Sequence, residues 1–95
     1  MYIVDLTYLK TIDVIEVYLE SHRQFLDEQY TQELFLASGP KNPRNGGVII
    51  VSGRVSRSEL DAILAKDPFH QNGIAAYGVT EFVPVKSHPA LSGIL

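Results

Sequence analysis

Between Tyr8 and Ile12 the spacing of apolar side chains switches from every second residue to every third and fourth, and the same switch recurs after Ser56. Strands repeat every two residues and helices about every 3.6. A chain of 95 residues that changes period twice in this way must interleave strands and helices within one domain. In the first strand, Met1 to Leu9, the side chains of Tyr2, Val4, Leu6 and Tyr8 fall on one face and those of Ile3, Asp5, Thr7 and Leu9 on the other. Ile3 and Leu9 are apolar, so this second face calls for cover from a neighbour or a second subunit.

The first helix is expected from Thr11, its N-cap, to about Tyr30, with Asp13 and Glu16 near the positive end of its dipole. Its apolar stripe runs through Ile12, Ile15, Tyr18 or Leu19, and Phe25 or Leu26, with His22 out of character inside it. Leu34 to Ser38 reads as a second strand, and Ser38 to Gly47 as a long connection of turn formers. Val48-Ile49-Ile50-Val51-Ser52-Gly53 lacks polar alternation, as a central strand covered on both faces should. The second helix carries a complete start signal. Ser56 is the N-cap, Glu59 its capping-box partner, and Val55 and Leu60 form a hydrophobic staple. Leu60, Ile63 and Leu64 make its apolar face, Asp67 falls at its C-terminal edge, and Pro68 stops it. A carboxylate at a helix C-terminus meets the negative end of the dipole, so Asp67 needs a compensating donor. Gly73 to Val85 supplies the fourth strand.

The resulting order is βαββαβ, an α+β ferredoxin-like sandwich with an antiparallel sheet and both helices on one face. Residues 1–85 form this domain and residues 86–95 a C-terminal tail, whose Leu91, Ile94 and Leu95 either dock or fray. The uncovered sheet face points to a homodimer, with a higher oligomer left open.

Composition narrows the function. The absence of cysteine removes disulfides, thiolate nucleophiles and iron–sulfur ligation. Eight Lys and Arg against eleven Asp and Glu give a net charge of −3, the wrong sign for nucleic acid. No apolar run approaches the roughly 20 residues that span a bilayer, and no leader is evident, so no membrane partner is expected and the cytoplasm is the expected compartment. RNA-binding modules of this topology stack bases on aromatics of the third strand, which here has none. Acylphosphatase-type sites need an arginine-bearing cradle after the first strand, and Thr7-Tyr8-Leu9-Lys10 offers neither arginine nor glycine.

His22 and Asp67 lie on core-facing edges of two helices that this topology sets side by side. A carboxylate bonded to one imidazole nitrogen holds the ring and stabilises imidazolium, leaving the other nitrogen to exchange a proton with a substrate. Either residue alone reads as structural, a packed histidine and a helix terminator. As a pair they point to a general acid–base dyad. Ser38 and Gly39 are candidates for binding an oxyanion, Arg54 for attracting an acidic substrate, and Phe69 for packing at the pocket edge. His70 with His22 and Asp67 would suit a metal, but Pro68 breaks the register that would align them, so no metal or cofactor is expected. His88 belongs to the tail.

His22 with Phe25-Leu26, Ser38-Gly39-Pro40, Gly46-Gly47 and Asp67-Pro68-Phe69, in this order, resemble the YCII-related proteins. The resemblance spans nearly residues 1–85 and departs from the family in the longer Pro40–Asn45 loop and in the tail past Pro84. It implies a dimeric α+β barrel of ferredoxin-like protomers and an active site carried by His22 and Asp67. Most members of that family have no assigned activity, and a minority perform proton transfer or elimination on small ring compounds. The expected function is therefore a small cofactor-independent lyase or isomerase acting on a small metabolite. The alternative is a non-catalytic ligand-binding or interaction module in which the pair is structural.

Overall fold

The computed structural model describes residues 1–95. Four strands, β1 (Tyr2–Tyr8), β2 (Phe35–Pro40), β3 (Gly46–Val51) and β4 (Ala75–Glu81), form one antiparallel sheet in the order β2-β3-β1-β4. The helices are α1 (Ile12–Val17), α2 (Leu19–Thr31), α3 (Arg57–Leu64) and α4 (Pro68–Gln71). The split βαββαβ order read from the apolar periods is the order of the folded chain, and this is the protomer fold of the dimeric α+β barrels.

The core lies between sheet and helices. Tyr2, Val4 and Leu6 of β1 alternate inward and meet Ile49 and Val51 of β3, Phe35 of β2, and Ile15, Phe25, Leu60 and Leu64 of the helices. On the opposite face of the sheet, Ile3 keeps 38% of its exposure and Val48 and Ile50 are half-buried. No helix covers that face within the protomer, so the expectation that β3 is covered on both sides fails for a single chain. No helix is long and apolar enough to cross a membrane.

Three boundaries differ from the sequence reading. The helix expected over Thr11–Tyr30 is two segments, interrupted at Tyr18 (φ −105°, ψ 3°). Ile12, Val14, Ile15 and Val17 are β-branched and lose side-chain freedom in a helix, so α1 depends on burial of Ile15 rather than on propensity. Thr11 does occupy the N-cap position, but its side chain makes no cap hydrogen bond. The connection expected over Ser38–Gly47 shrinks to residues 41–45, because Gly46 and Gly47 pair with Thr7 and Leu6 as the start of β3. A Cβ at position 46 would collide with the Leu6 carbonyl oxygen, so glycine lets β3 approach β1 closely and seats the 41–45 loop against it. Finally, Asp67 does not end a helix against its dipole. It is the N-cap of α4, with an extended backbone, and its carboxylate accepts the Phe69 N–H.

The Ser56–Glu59 capping box forms as read, with Ser56 Oγ accepting the Glu59 N–H and Glu59 Oε1 accepting the Ser56 N–H, both at 3.1 Å. The tail turns once as a 3₁₀ helix (Pro89–Leu91) and docks on the chain after β3. There Ser52 Oγ donates to the Leu95 carbonyl and Arg54 Nη2 to that of Gly93.

Candidate active site

Asp67 is fully buried and accepts three hydrogen bonds. Oδ1 takes the Phe69 N–H at 3.0 Å and His22 Nδ1 at 2.8 Å, while Oδ2 takes the Tyr77 hydroxyl at 2.5 Å. Asp67 already accepts from the Phe69 N–H and the Tyr77 hydroxyl, so it also accepts from His22 Nδ1–H, and Nε2 is the ring nitrogen left without a protein partner. Each partner reaches Asp67 from its own element. His22 resumes the helical ladder after the break, its N–H bonding the Tyr18 carbonyl, and so lies in the first turn of α2. Tyr77 lies on the core-facing side of β4, opposite Leu6. Pro68 at the first position of α4 turns the chain so that the Asp67 side chain caps inward.

Phe69 fixes the ring from a second direction. Its phenyl stacks on the imidazole with centroids 3.9 Å apart and planes 2° from parallel, and the edge of Tyr8 packs on it in turn at 6.1 Å. The His22 side chain retains 11% of its exposure. Nε2 has no protein partner and is not sealed from solvent, and the ring lines a cleft of about 480 Å³. Leu6, Leu19, Leu26 and Ile49 line it with hydrocarbon, and Tyr8, Glu16, Arg23, Ser38, Gly39 and Arg44 supply polar groups.

Of the residues singled out in the sequence, His22, Ser38, Gly39 and Phe69 come together around this cleft, with Asp67 behind the imidazole. The Ser38 hydroxyl is shared with that of Tyr30 at 2.6 Å. Arg54 is not part of the cleft. It pairs with Glu33 at 2.9 Å in a separate depression of about 270 Å³ beside Gly93 and Ile94, and its other nitrogen holds the tail. The residue after a strand end points wherever the next turn sends it, and here that is toward the C-terminus. His70 packs edge-on against Tyr77 at 5.4 Å, and no three His, Asp or Glu side chains gather as metal ligands. His88 caps the 3₁₀ turn, its Nδ1 accepting the Ala90 N–H.

Sequence reasoning missed Tyr77, Tyr8, Arg23 and Arg44. A phenol on the core-facing register of β4 was the available signal for Tyr77, since a buried hydroxyl requires a partner. Burial and the Asp67 charge push the Tyr77 phenol well above its ordinary value of 10.0, so it remains a donor at any physiological pH.

A helix-covered antiparallel sheet, with a buried carboxylate bonded to the imidazole of a cleft-lining histidine, defines a small ferredoxin-like α+β domain bearing a His–Asp pair. The chain belongs to the YCII-related domain family, whose model matches residues 2–83. Among solved structures it is similar to 5-chloro-2-hydroxyhydroquinone dehydrochlorinase (TftG) from Burkholderia phenoliruptrix AC1100 in complex with 2,5-dihydroxybenzoquinone. The TM-score is 0.70 at 17% identity, over 87% of this chain and 94% of that one. No curated protein sequence matches.

Proposed function

We propose that the protein is a cofactor-independent enzyme that moves a proton on a small hydroxylated or ring-bearing metabolite, with His22 as general base and acid and Asp67 as its orienting partner. The observation that carries this reading is the division of labour on one ring: Nδ1 is tied to a buried carboxylate while Nε2 has no protein partner, on a residue that lines a cleft. Nε2 takes a proton from a substrate hydroxyl or activated C–H. The positive charge created is stabilised by Asp67 and by the face of Phe69. The imidazolium then returns the proton to another atom of the substrate, an isomerisation, or releases it while a leaving group departs with its electron pair, an elimination. Elimination has a precedent in the fold, the dehydrochlorinase named above. Ser38 and Gly39 at the rim are placed to contact a substrate oxygen. The protein works as a homodimer, whose second copy covers the face of Ile3, Val48 and Ile50, and it acts in the cytoplasm without nucleic-acid or membrane partners. Residues 86–95 are an appendage to this domain.

The test is turnover of a panel of hydroquinones and hydroxyquinones that includes 5-chloro-2-hydroxyhydroquinone, followed by absorbance and chloride release. His22→Ala and Asp67→Asn should lower turnover about 10²- to 10⁴-fold, the usual contribution of a positioned acid–base group. Unchanged turnover in both variants would refute the assignment.

A second reading, a ligand-binding module with a structural pair, is favoured by the way Asp67 caps α4 and ties it to α2 and β4. On that reading His22 and Asp67 show a coupling of about 0.5–3 kcal/mol in a double-mutant thermal cycle and no variant alters any turnover.

A further inference from the structure

The proton transfer described above leaves Arg44 without a task. It belongs to the 41–45 connection between β2 and β3. Its Nη1 donates to Glu16 Oε1 of α1 at 3.2 Å, and both residues line the cleft beside His22. That contact is long for a charge-assisted bond, which usually measures roughly 2.7–2.9 Å. The two side chains remain 38% and 57% exposed, so the pair is weak and replaceable. A guanidinium offers five N–H donors, and Glu16 is the one side chain bonded to this one. Arg23, next to His22 in α2, lines the same cleft and takes part in no ion pair. Two of the eight cationic residues of a chain with net charge −3 therefore meet at one cleft, beside the hydrocarbon of Leu6, Leu19, Leu26 and Ile49. Of the carboxylates nearby, Asp67 faces away with its oxygens filled, and Glu16 alone competes for the cations.

We propose that the cleft selects substrates carrying an anionic oxygen on a small planar ring. Arg44 is the specificity-determining counter-cation, and Glu16 is the internal carboxylate that such an oxygen displaces. This deepens the reading of the cleft as a substrate site and rests on it. A neutral ring leaves the Glu16–Arg44 pair intact. An anionic ring replaces Glu16 with a partner held at the same time by hydrocarbon contacts, and its oxygen is then fixed opposite a base that has no other protein partner.

The test is equilibrium binding to the full chain by calorimetry, using 2,5-dihydroxybenzoquinone, a vinylogous acid that is anionic at neutral pH, and 2,5-dimethoxy-1,4-benzoquinone, its neutral analogue. Arg44→Gln should weaken binding of the dihydroxy ring about tenfold or more and change the dimethoxy ring less than about twofold. Glu16→Gln, which removes the competitor, should tighten the dihydroxy ring about two- to fivefold, the span of an exposed ion pair. Added KCl should weaken the anion alone. Equal losses for both rings in Arg44→Gln, weaker anion binding in Glu16→Gln, or no binding of the dihydroxy ring to the unmodified protein would each overturn the proposal. His22→Ala turnover, measured separately, reports on the proton-transfer reading whatever the binding series shows.

Discussion

Ser56 and Asp67 hold the same structural post, the N-cap of a helix, and use it in opposite ways. Ser56 is exposed and its partners lie three residues away, so the capping box closes within one turn and serves only α3. Asp67 is wholly buried, and after capping α4 its carboxylate still collects His22 from 45 residues upstream and Tyr77 from 10 residues downstream. One cap is a local stability device. The other is a junction where a helix start, a strand and a cleft-lining imidazole are made mutually dependent.

If that contrast holds, Asp67→Ala should be the most damaging single change of the set. It leaves Nδ1 of His22, the Phe69 N–H and the Tyr77 hydroxyl without an acceptor, and removing one partner of a buried pair costs about 3–5 kcal/mol. Chemical denaturation measures this, and a loss no greater than that of Ser56→Ala would erase the distinction. Tyr77→Phe comes next at about 2 kcal/mol, for loss of a hydrogen bond to a charged group. The same variant carries a pH signature. The phenol is held protonated in the fold but ionises near pH 10.0 when unfolded, so the unfolded state loses a proton that the native state keeps. Stability is thus fully present below about pH 10 and declines above it, and Tyr77→Phe should flatten that decline in alkaline melts.

Ser56→Ala should cost about 1 kcal/mol, the usual value of an N-cap hydroxyl, and should leave the cleft and any turnover unchanged. The smallest effect is that of Glu59→Gln. The Ser56 N–H and hydroxyl hold the Glu59 carboxyl below its ordinary value of 4.5. Its contribution is therefore present above about pH 4.5 and lost as pH falls through the lower folded value. Melts of wild type and Glu59→Gln should converge toward pH 3 and separate at pH 6. Parallel curves would place the interaction outside the carboxylate's charge.

The same contrast explains what was legible in the sequence. The Ser56 box was readable because donor, acceptor and staple all sit within a few residues. The two faces of β1 were readable for the same reason. That His22 and Asp67 meet followed from topology, once two polar residues stood on faces that had to be buried. The identity of Asp67 as a cap rather than a terminator was not legible, because an Asp-Pro step reads as a helix stop, whereas α3 already ends at Leu64 and Pro68 opens α4. Tyr77 escaped notice because an inward tyrosine looks like any core aromatic until its hydroxyl's partner is known. Arg54 and Arg44 were indistinguishable as loop cations. Only the folding of the tail and the close approach of β3 at Gly46 assigned one to the C-terminus and the other to the cleft.

The parallel clasp of Phe69 on His22 has a stereochemical consequence. With Nδ1 held by Asp67 and one ring face covered by Phe69, the imidazole presents Nε2 along its remaining edge, and it cannot turn to present the other nitrogen without breaking the Asp67 bond. On the proposed proton transfer, hydrogen taken up through that edge leaves through it, and successive transfers are confined to one side of the bound molecule.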